Sequence, residues 1–375
     1  MADKTLKSLN FGGADNYFPL PLVTAADNDK ILSVVNGEWA AAEAPSGGGS
    51  GQYVWSKHET ENGKILEYVI GETEADYPDG GWKDGAYYIL KLGPTPPACL
   101  SFIGNEDFTL KTSNTTKNWD GALEYSTDKS TWNTWNGMEI SSSGSKLYLR
   151  GTGNTIITGD SKESMFVFTG TDTLKIACKG NIENLLDYET VSSGGHPTMA
   201  GYCYFNMFSG CTALTTAPEL PATTLTTECY DSMFNGCTSL TTAPELPATT
   251  LTDYCYSNMF ANCTSLTSVP ALPATTLASE CYSYMFQGCT SLTTAPKLYA
   301  TTLAKGCYRN MFSNCTKIKL STTQIREYQT AYRIPTSGTG TTATDALTKM
   351  FTNTGGAFTG TPEINTTYYT SNTVV

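Results

Sequence analysis

Charge is scarce in this chain. Asp, Glu, Lys and Arg together make up 15% of its 375 residues, and no basic block interrupts a formal net charge of -12. Nucleic acid and anionic membrane both require basic patches, so neither is an expected partner. Long apolar runs are missing too. No window reaches the roughly 18 apolar residues of a membrane span, so membrane insertion is not expected. The opening "MADKTLKSLNFGGADNYFPLP" has no apolar stretch behind its lysines and does not read as a secretory signal. Synthesis and folding in the cytosol follow as the expectation, where thiols stay reduced. Histidine is down to His58 and His196, and no Cys-x-x-Cys pair exists, which leaves little for a metal site. No GxSxG, HExxH, P-loop or GxGxxG motif occurs. "FGGADN" is a lone glycine cluster that suits a turn, and "DNDK" and "TDTLK" lack the alternating acids and closing Glu of a calcium loop. No metal, no other cofactor and no enzymatic activity are therefore expected.

Twelve cysteines stand out against these absences, and ten of them keep one period. Cys203, Cys229, Cys255, Cys281 and Cys307 recur at one constant interval, and Cys211, Cys237, Cys263, Cys289 and Cys315 repeat it. The unit reads C-Y-x-x-M-F-x-[GN]-C-T-x-[LI], followed in four copies by T-[TS]-[AV]-P-x-L-[PY]-A-T-T-L. A fixed period of this length marks a stack of structural repeats. "ALTKMFTNTG", Ala346 to Gly355, keeps Met350 and Phe351 but has Ala346 and Thr354 in place of the cysteines. It is expected to cap the stack, since terminal repeats must close an otherwise open core.

Treated as a short helix at about 100° per residue, the segment puts Cys203, Tyr204, Met207, Phe208 and Cys211 on one arc. The varying positions (Phe205, Asn206 and Ser209, and their counterparts) then fall on the opposite, solvent face. A helix also rises about 12 Å over eight residues, too far for a disulfide within one repeat. Bridges between neighbouring repeats stay open, and so does the plainer reading, two stacked ladders of buried, reduced thiols in the core. In the second half of the unit, Leu240, Leu246 and Leu251 supply apolar contacts. The threonines suit a short strand that ends near Pro218, Pro244, Pro270 and Pro296. One short helix plus one short strand per unit of this length is a leucine-rich-repeat solenoid.

The first 200 residues differ in character and hold all six tryptophans. "ILSVVNGEWAA" reads as a hairpin around Asn36-Gly37, and "PSGGGSGQ" as a flexible joint. The expected layout is multi-domain and mostly β. It runs as an N-terminal hairpin segment over residues 1–45, a Gly/Ser linker over 46–52, a small β-module over 53–96, and a β-sandwich over 97–180 made of about eight short runs. The solenoid follows over 181–320, introduced by a short helix in "NIENLLDY", and then a capping region over 321–375. Trp132 or Trp135 on the sandwich raises the question of a sugar platform, against plain hydrophobic packing. Glu219 and Glu245 recur in Pro-Glu-Leu, yet Ala271 and Lys297 replace them in the next two copies, so they form surface variation rather than a catalytic pair.

"CYSYMFQGCTSLTTAPKL" resembles the bacterial surface-antigen (BspA-type) leucine-rich repeats, with Met-Phe where those repeats usually carry Ala-Phe. The resemblance covers residues 200–320. "VTAADNDKILSVVNGEWAAAEAPSG" is similar to N-terminal segments of bacteriophage virion proteins such as tail and head fibres. "DYPDGGWKDGAYYILKL" and "ALTKMFTNTGGAFTGTPEINTTYY" look like modules of the same proteins. These resemblances imply a virion protein, often a homotrimer, with residues 1–45 docked on other virion proteins and a distal solenoid meeting a glycan or protein of the host surface. On that reading the varying positions Asp231, Ser232, Ser257, Asn258, Ser283, Tyr284, Arg309 and Asn310 form the candidate ligand-binding surface. Neutral drift of a solvated face is the alternative for each of them. A bacterial cell-surface adhesin built on the same repeats is the alternative for the whole chain.

Overall fold

The computed structural model describes residues 99–114, 117–159, 165–338 and 343–371, and of the first 98 residues the backbone of seven strands. The chain divides into two compact units, Met1–Pro96 and Pro97–Val375. The first unit pairs β1 (Ser8–Asn10) with β2 (Tyr17–Pro19) and β3 (Lys30–Val35) with β4 (Glu38–Glu43). It also builds an antiparallel sheet β6-β5-β7 from β5 (Gln52–His58), β6 (Ile65–Gly71) and β7 (Tyr87–Leu92). Val35 pairs with Glu38, so Asn36 and Gly37 alone join β3 to β4, as the hairpin expectation requires. The Gly/Ser stretch, "DNDK" before Lys30, and the side chains of His58, Trp39, Trp55 and Trp82 lie outside the described residues.

The second unit opens with eight strands in two sheets. They are β8 (Leu100–Gly104), β9 (Thr109–Thr112), β10 (Ala122–Ser126), β11 (Asn133–Trp135), β12 (Ile140–Ser141), β13 (Lys146–Thr152), β14 (Phe166–Thr169) and β15 (Ile176–Lys179). One sheet runs β12-β9-β14. The other runs β11-β10-β13-β8-β15 and is extended by β16 (Leu214–Thr216), which belongs to the first repeat and lies parallel to β15. Phe102, Leu110, Leu123, Trp135, Leu147, Leu149 and Phe166 fill the space between the sheets, each 2% exposed or less. Phe166 in turn lies edge-on to Phe208 of the first repeat, their centroids 5.9 Å apart. Sheet and repeats therefore share one apolar core. The short helix falls at α1 (Asn184–Ser192), broken at Asp187, whose φ of -155° is extended backbone.

The repeated Cys-Tyr-x-x-Met-Phe segment is not a helix, and this corrects the expectation. Positive φ recurs at every fourth position: Tyr202, Asn206 and Gly210, then Glu228, Ser232 and Gly236, with the same rhythm in the later copies. Hydrogen bonds alternate along the segment. The N–H groups of Phe205, Met207, Ser209 and Cys211 close turns on the carbonyls of Tyr202, Tyr204, Asn206 and Phe208. Those of Tyr202, Tyr204, Asn206, Phe208 and Gly210 donate to the carbonyls of Thr227, Cys229, Asp231, Met233 and Asn235 in the next repeat. Every second N–H thus joins neighbouring repeats, and the segment is a ribbon of turns laddered like a sheet. An α-helix would have spent all of these donors internally.

The sequence holds a signal for this. Gly or Asn stands before the second cysteine in every copy (Gly210, Gly236, Asn262, Gly288, Asn314), and these are the residues that most readily adopt positive φ. The sign of a substitution tests it. At exposed Asn262, φ 61°, replacement by Ala is expected to destabilise by about 1 kcal/mol, and by Gly to be neutral or stabilising. A helix would give the reverse order in urea unfolding.

The inward arc survives the change of backbone: Cys203, Tyr204, Met207 and Phe208 are fully buried and Cys211 nearly so. Tyr204, Tyr230, Tyr256, Tyr282 and Tyr308 form one column of rings 5.4–5.9 Å apart and within 9° of parallel. Phe208, Phe234, Phe260, Phe286 and Phe312 form a second. A laddered backbone sets copies about 4.7–4.9 Å apart, so the rings slip sideways into the offset stacking that aromatic quadrupoles favour.

The expected strand of each repeat's second half is only partly there. The first copy has β16, while later copies show single bridges, Thr242 to Ser268 and Thr250 to Thr276. At the far end Phe351 stacks on Phe312 at 5.4 Å, and Tyr308, Asn310, Phe312 and Asn314 donate to carbonyls of Ala346, Thr348, Met350 and Thr352. Beside this closing layer a sheet of order β18-β20-β17-β19 forms from β17 (Lys319–Ser321), β18 (Thr330–Arg333), β19 (Gly355–Gly356) and β20 (Thr367–Thr370).

Candidate ligand-binding surface

The eight varying residues occupy two adjacent positions of the ribbon, and the turn geometry treats the two differently. Asp231, Ser257 and Ser283 are buried, at 8%, 3% and 2% exposure, with Arg309 half-buried at the same position. The next position, Ser232, Asn258, Tyr284 and Asn310, carries positive φ in every copy; the first three are half-buried and Asn310 is buried. The expectation that all eight face solvent is therefore corrected for Asp231, Ser257, Ser283 and Asn310, and the same correction applies to Phe205 and Asn206 of the first copy, which are buried. The helical wheel fails here because a ribbon with a left-handed residue at every fourth position does not turn by the helix's constant step. The Ser and Asn at the second position answer first to backbone conformation, since short polar side chains tolerate positive φ. Tyr284 is the exception, a bulky ring at φ 57°.

Around Tyr284 the chain builds a charged contact between neighbouring repeats. Glu280 precedes Cys281, also has positive φ, and is 2% exposed. Arg309 Nη2 lies 2.9 Å from Glu280 Oε2, and the guanidinium sits 5.6 Å from the Tyr284 ring centroid. Gly306, the equivalent of Glu280 one repeat on, makes the room: a Cβ there would lie 2.4 Å from the Glu280 carboxyl. Sequence reasoning missed Glu280 and Gly306 because the unit was read from the cysteine onward. The preceding position (Tyr202, Glu228, Tyr254, Glu280, Gly306) varies as much as those chosen.

Asp231 shows the cost of a buried acid. Its carboxyl accepts from Ser232 Oγ at 2.6 Å, yet burial pushes its pKa up from 3.8 to about 6. The cysteines are all unpaired, and the ten ladder thiols are buried. Cys237, Cys263, Cys289 and Cys315 each donate S–H to the carbonyl of the Phe one repeat back, and Cys211 to that of Phe166 in β14, all at 2.9–3.1 Å; for Cys263 the acceptor is Phe234. The helical-rise argument against a bridge lapses with the helix. Burial instead pushes the Cys229, Cys263, Cys307 and Cys315 thiols up to about 12.

The structure places the two tryptophans differently. Trp135 is buried, stacks on Trp119 at 5.2 Å and donates Nε1–H to the Met138 carbonyl. The Arg150 guanidinium lies over Trp132 at 4.1 Å and over Tyr188 at 4.3 Å while pairing with Glu124. Trp135 therefore offers no sugar platform, and one face of half-buried Trp132 is taken by Arg150. His196 sits 2.8 Å from buried Glu183. Among the described residues no group of three or more His, Cys, Asp or Glu converges as a metal site, and no helix is long and apolar enough to cross a membrane.

Compared with known families, residues 202–319 match the BspA type leucine rich repeat region in six copies, over a span where the cysteine period places five pairs. The chain thus carries BspA-type leucine-rich repeats, a repeat of the binding kind that suggests a surface or adhesin-like protein. No curated protein and no solved structure matches the chain.

Proposed function

We propose that the chain is a non-enzymatic virion structural protein of a bacteriophage, a tail or head fibre whose repeat solenoid displays a surface for host attachment. The observation that carries the attachment part is the BspA-type match over a laddered backbone. Each layer is fixed by hydrogen bonds and ring columns, which hold the half-buried side chains of Ser232, Asn258 and Tyr284 at a regular spacing along the repeats. The virion part rests on the resemblance of "VTAADNDKILSVVNGEWAAAEAPSG" and the C-terminal stretch to phage fibre proteins, and the homotrimer rests on the same resemblance. In this reading residues 1–45 dock on other virion proteins and the solenoid meets a glycan or protein of the host envelope.

The second reading, a bacterial cell-surface adhesin, is favoured by the family match alone. Immunogold electron microscopy separates the two. Label on purified particles is the expected result, and label confined to bacterial envelopes would overturn the virion assignment.

A further inference from the structure

The four copies of the repeat's second half read Pro-Glu-Leu-Pro-Ala at residues 218–222 and 244–248, Pro-Ala-Leu-Pro-Ala at 270–274, and Pro-Lys-Leu-Tyr-Ala at 296–300. The fourth departs at Lys297 and Tyr299, and both line a cleft of about 370 Å³. Its other wall is Ala331 to Thr336, the end of β18 and the turn after it. The walls are tied together: Ser337 N–H donates to the Thr301 carbonyl and Leu303 N–H to the Ser337 carbonyl, both at 3.0 Å. The cleft is thus preformed, and its volume suits a small ligand.

Its chemistry runs against the rest of the chain. In a protein of net charge -12, the lining carries Lys297 and Arg333 and no carboxylate. Tyr299 is 47% exposed where its counterparts are prolines, and Lys297 Nζ sits 4.7 Å from its ring centroid. Arg333 is steadied by donating to Asn365 Oδ1. Thr301 and Thr336 are exposed members of the lining, and the Thr336 hydroxyl donates to the Thr301 carbonyl. Tyr332, also in the lining, keeps a buried hydroxyl with no hydrogen-bond partner among the described residues.

We propose that this cleft binds an acidic oligosaccharide, with Tyr299 stacking on a sugar face and Lys297 and Arg333 taking a sugar carboxylate. Two cations take a carboxylate through charge-assisted hydrogen bonds, and an exposed flat ring offers apolar area at little entropic cost. The site lies apart from the turn ribbon, so it stands whether or not the attachment reading does.

Calorimetric titration of the full chain with tetragalacturonate tests it, beside cellotetraose as the neutral control and tetraglutamate as the acidic peptide control. Lys297→Glu and Tyr299→Pro restore residues that earlier copies already accommodate, and matching thermal melts confirm that each variant folds. Tetragalacturonate is expected to bind the parent chain, to weaken about tenfold or more in each variant, and to outcompete both controls. No heat with tetragalacturonate, equal affinity for cellotetraose or tetraglutamate, or binding unchanged in both variants would overturn the proposal.

Discussion

In the native full chain at about pH 8, no more than one of the twelve thiols is expected to react with a chromogenic disulfide reagent, and all twelve in denaturant without reductant. The attacking species is the thiolate. Burial raises the Cys263 pKa from 9.0 to about 12, which cuts its thiolate fraction about a thousandfold before access is considered. Cys178, outside the ladders, and the ladder cysteines Cys203, Cys237, Cys281 and Cys289 are held up by the same cause. Cys99 alone is half-buried rather than buried, and it is the thiol that the native reagent reaches. Several fast-reacting native thiols would mean that the repeats open. A count of two or fewer in denaturant would mean bridges between layers, and would sink the ladder of free thiols.

Replacing Asp231 by Ser is expected to stabilise the protein at about pH 8 and to make little difference at about pH 4. The carboxyl is 8% exposed, and its pKa rises on folding from 3.8 to about 6 because burial disfavours the charge. A group whose pKa is raised on folding contributes its full stability below the unfolded value and loses it as pH rises through the folded one. The window for Asp231 is therefore roughly pH 4 to 6: below it both states are protonated, and above it the ionised, buried carboxylate weighs against folding. The shift corresponds to a ceiling of roughly 3 kcal/mol. Ser257 and Ser283 occupy the same position in the next two repeats at 3% and 2% exposure, so the substitute already fits this backbone. Urea unfolding of variant and parent at both pH values reads the difference, in which all other titrating groups cancel. An equal gain at both, or a loss at pH 8, would contradict it.

The periodicity was legible because it is a one-dimensional property. Evenly spaced cysteines, Met-Phe pairs and repeated prolines announce stacked copies, and Met350-Phe351 announces the closing one. Glu219, Glu245, Ala271 and Lys297 were legible as variation but not as a site. Lys297 and Tyr299 acquire a partner wall only because residues 331–336 return beside the fourth repeat. Glu280 was invisible for a similar reason: its carboxylate matters through Gly306 and Arg309, both in the following repeat.

By itself the sequence determined which side chains are core. Tyr, Met, Phe and the two cysteines of each copy must be buried whatever backbone carries them, because apolar area is driven from water without regard to direction. Only the tertiary structure decided that backbone. A lone segment of this composition satisfies its N–H groups best as a helix. The following copy accepts every second one, and positive φ at every fourth position, most often at Gly, Asn or Ser, gives a ribbon of turns in place of a helix. Hydrogen bonds are directional and here run between copies. The side-chain pattern therefore survives while the helix does not, and several positions expected to face solvent, Asp231, Ser257 and Ser283 among them, are buried.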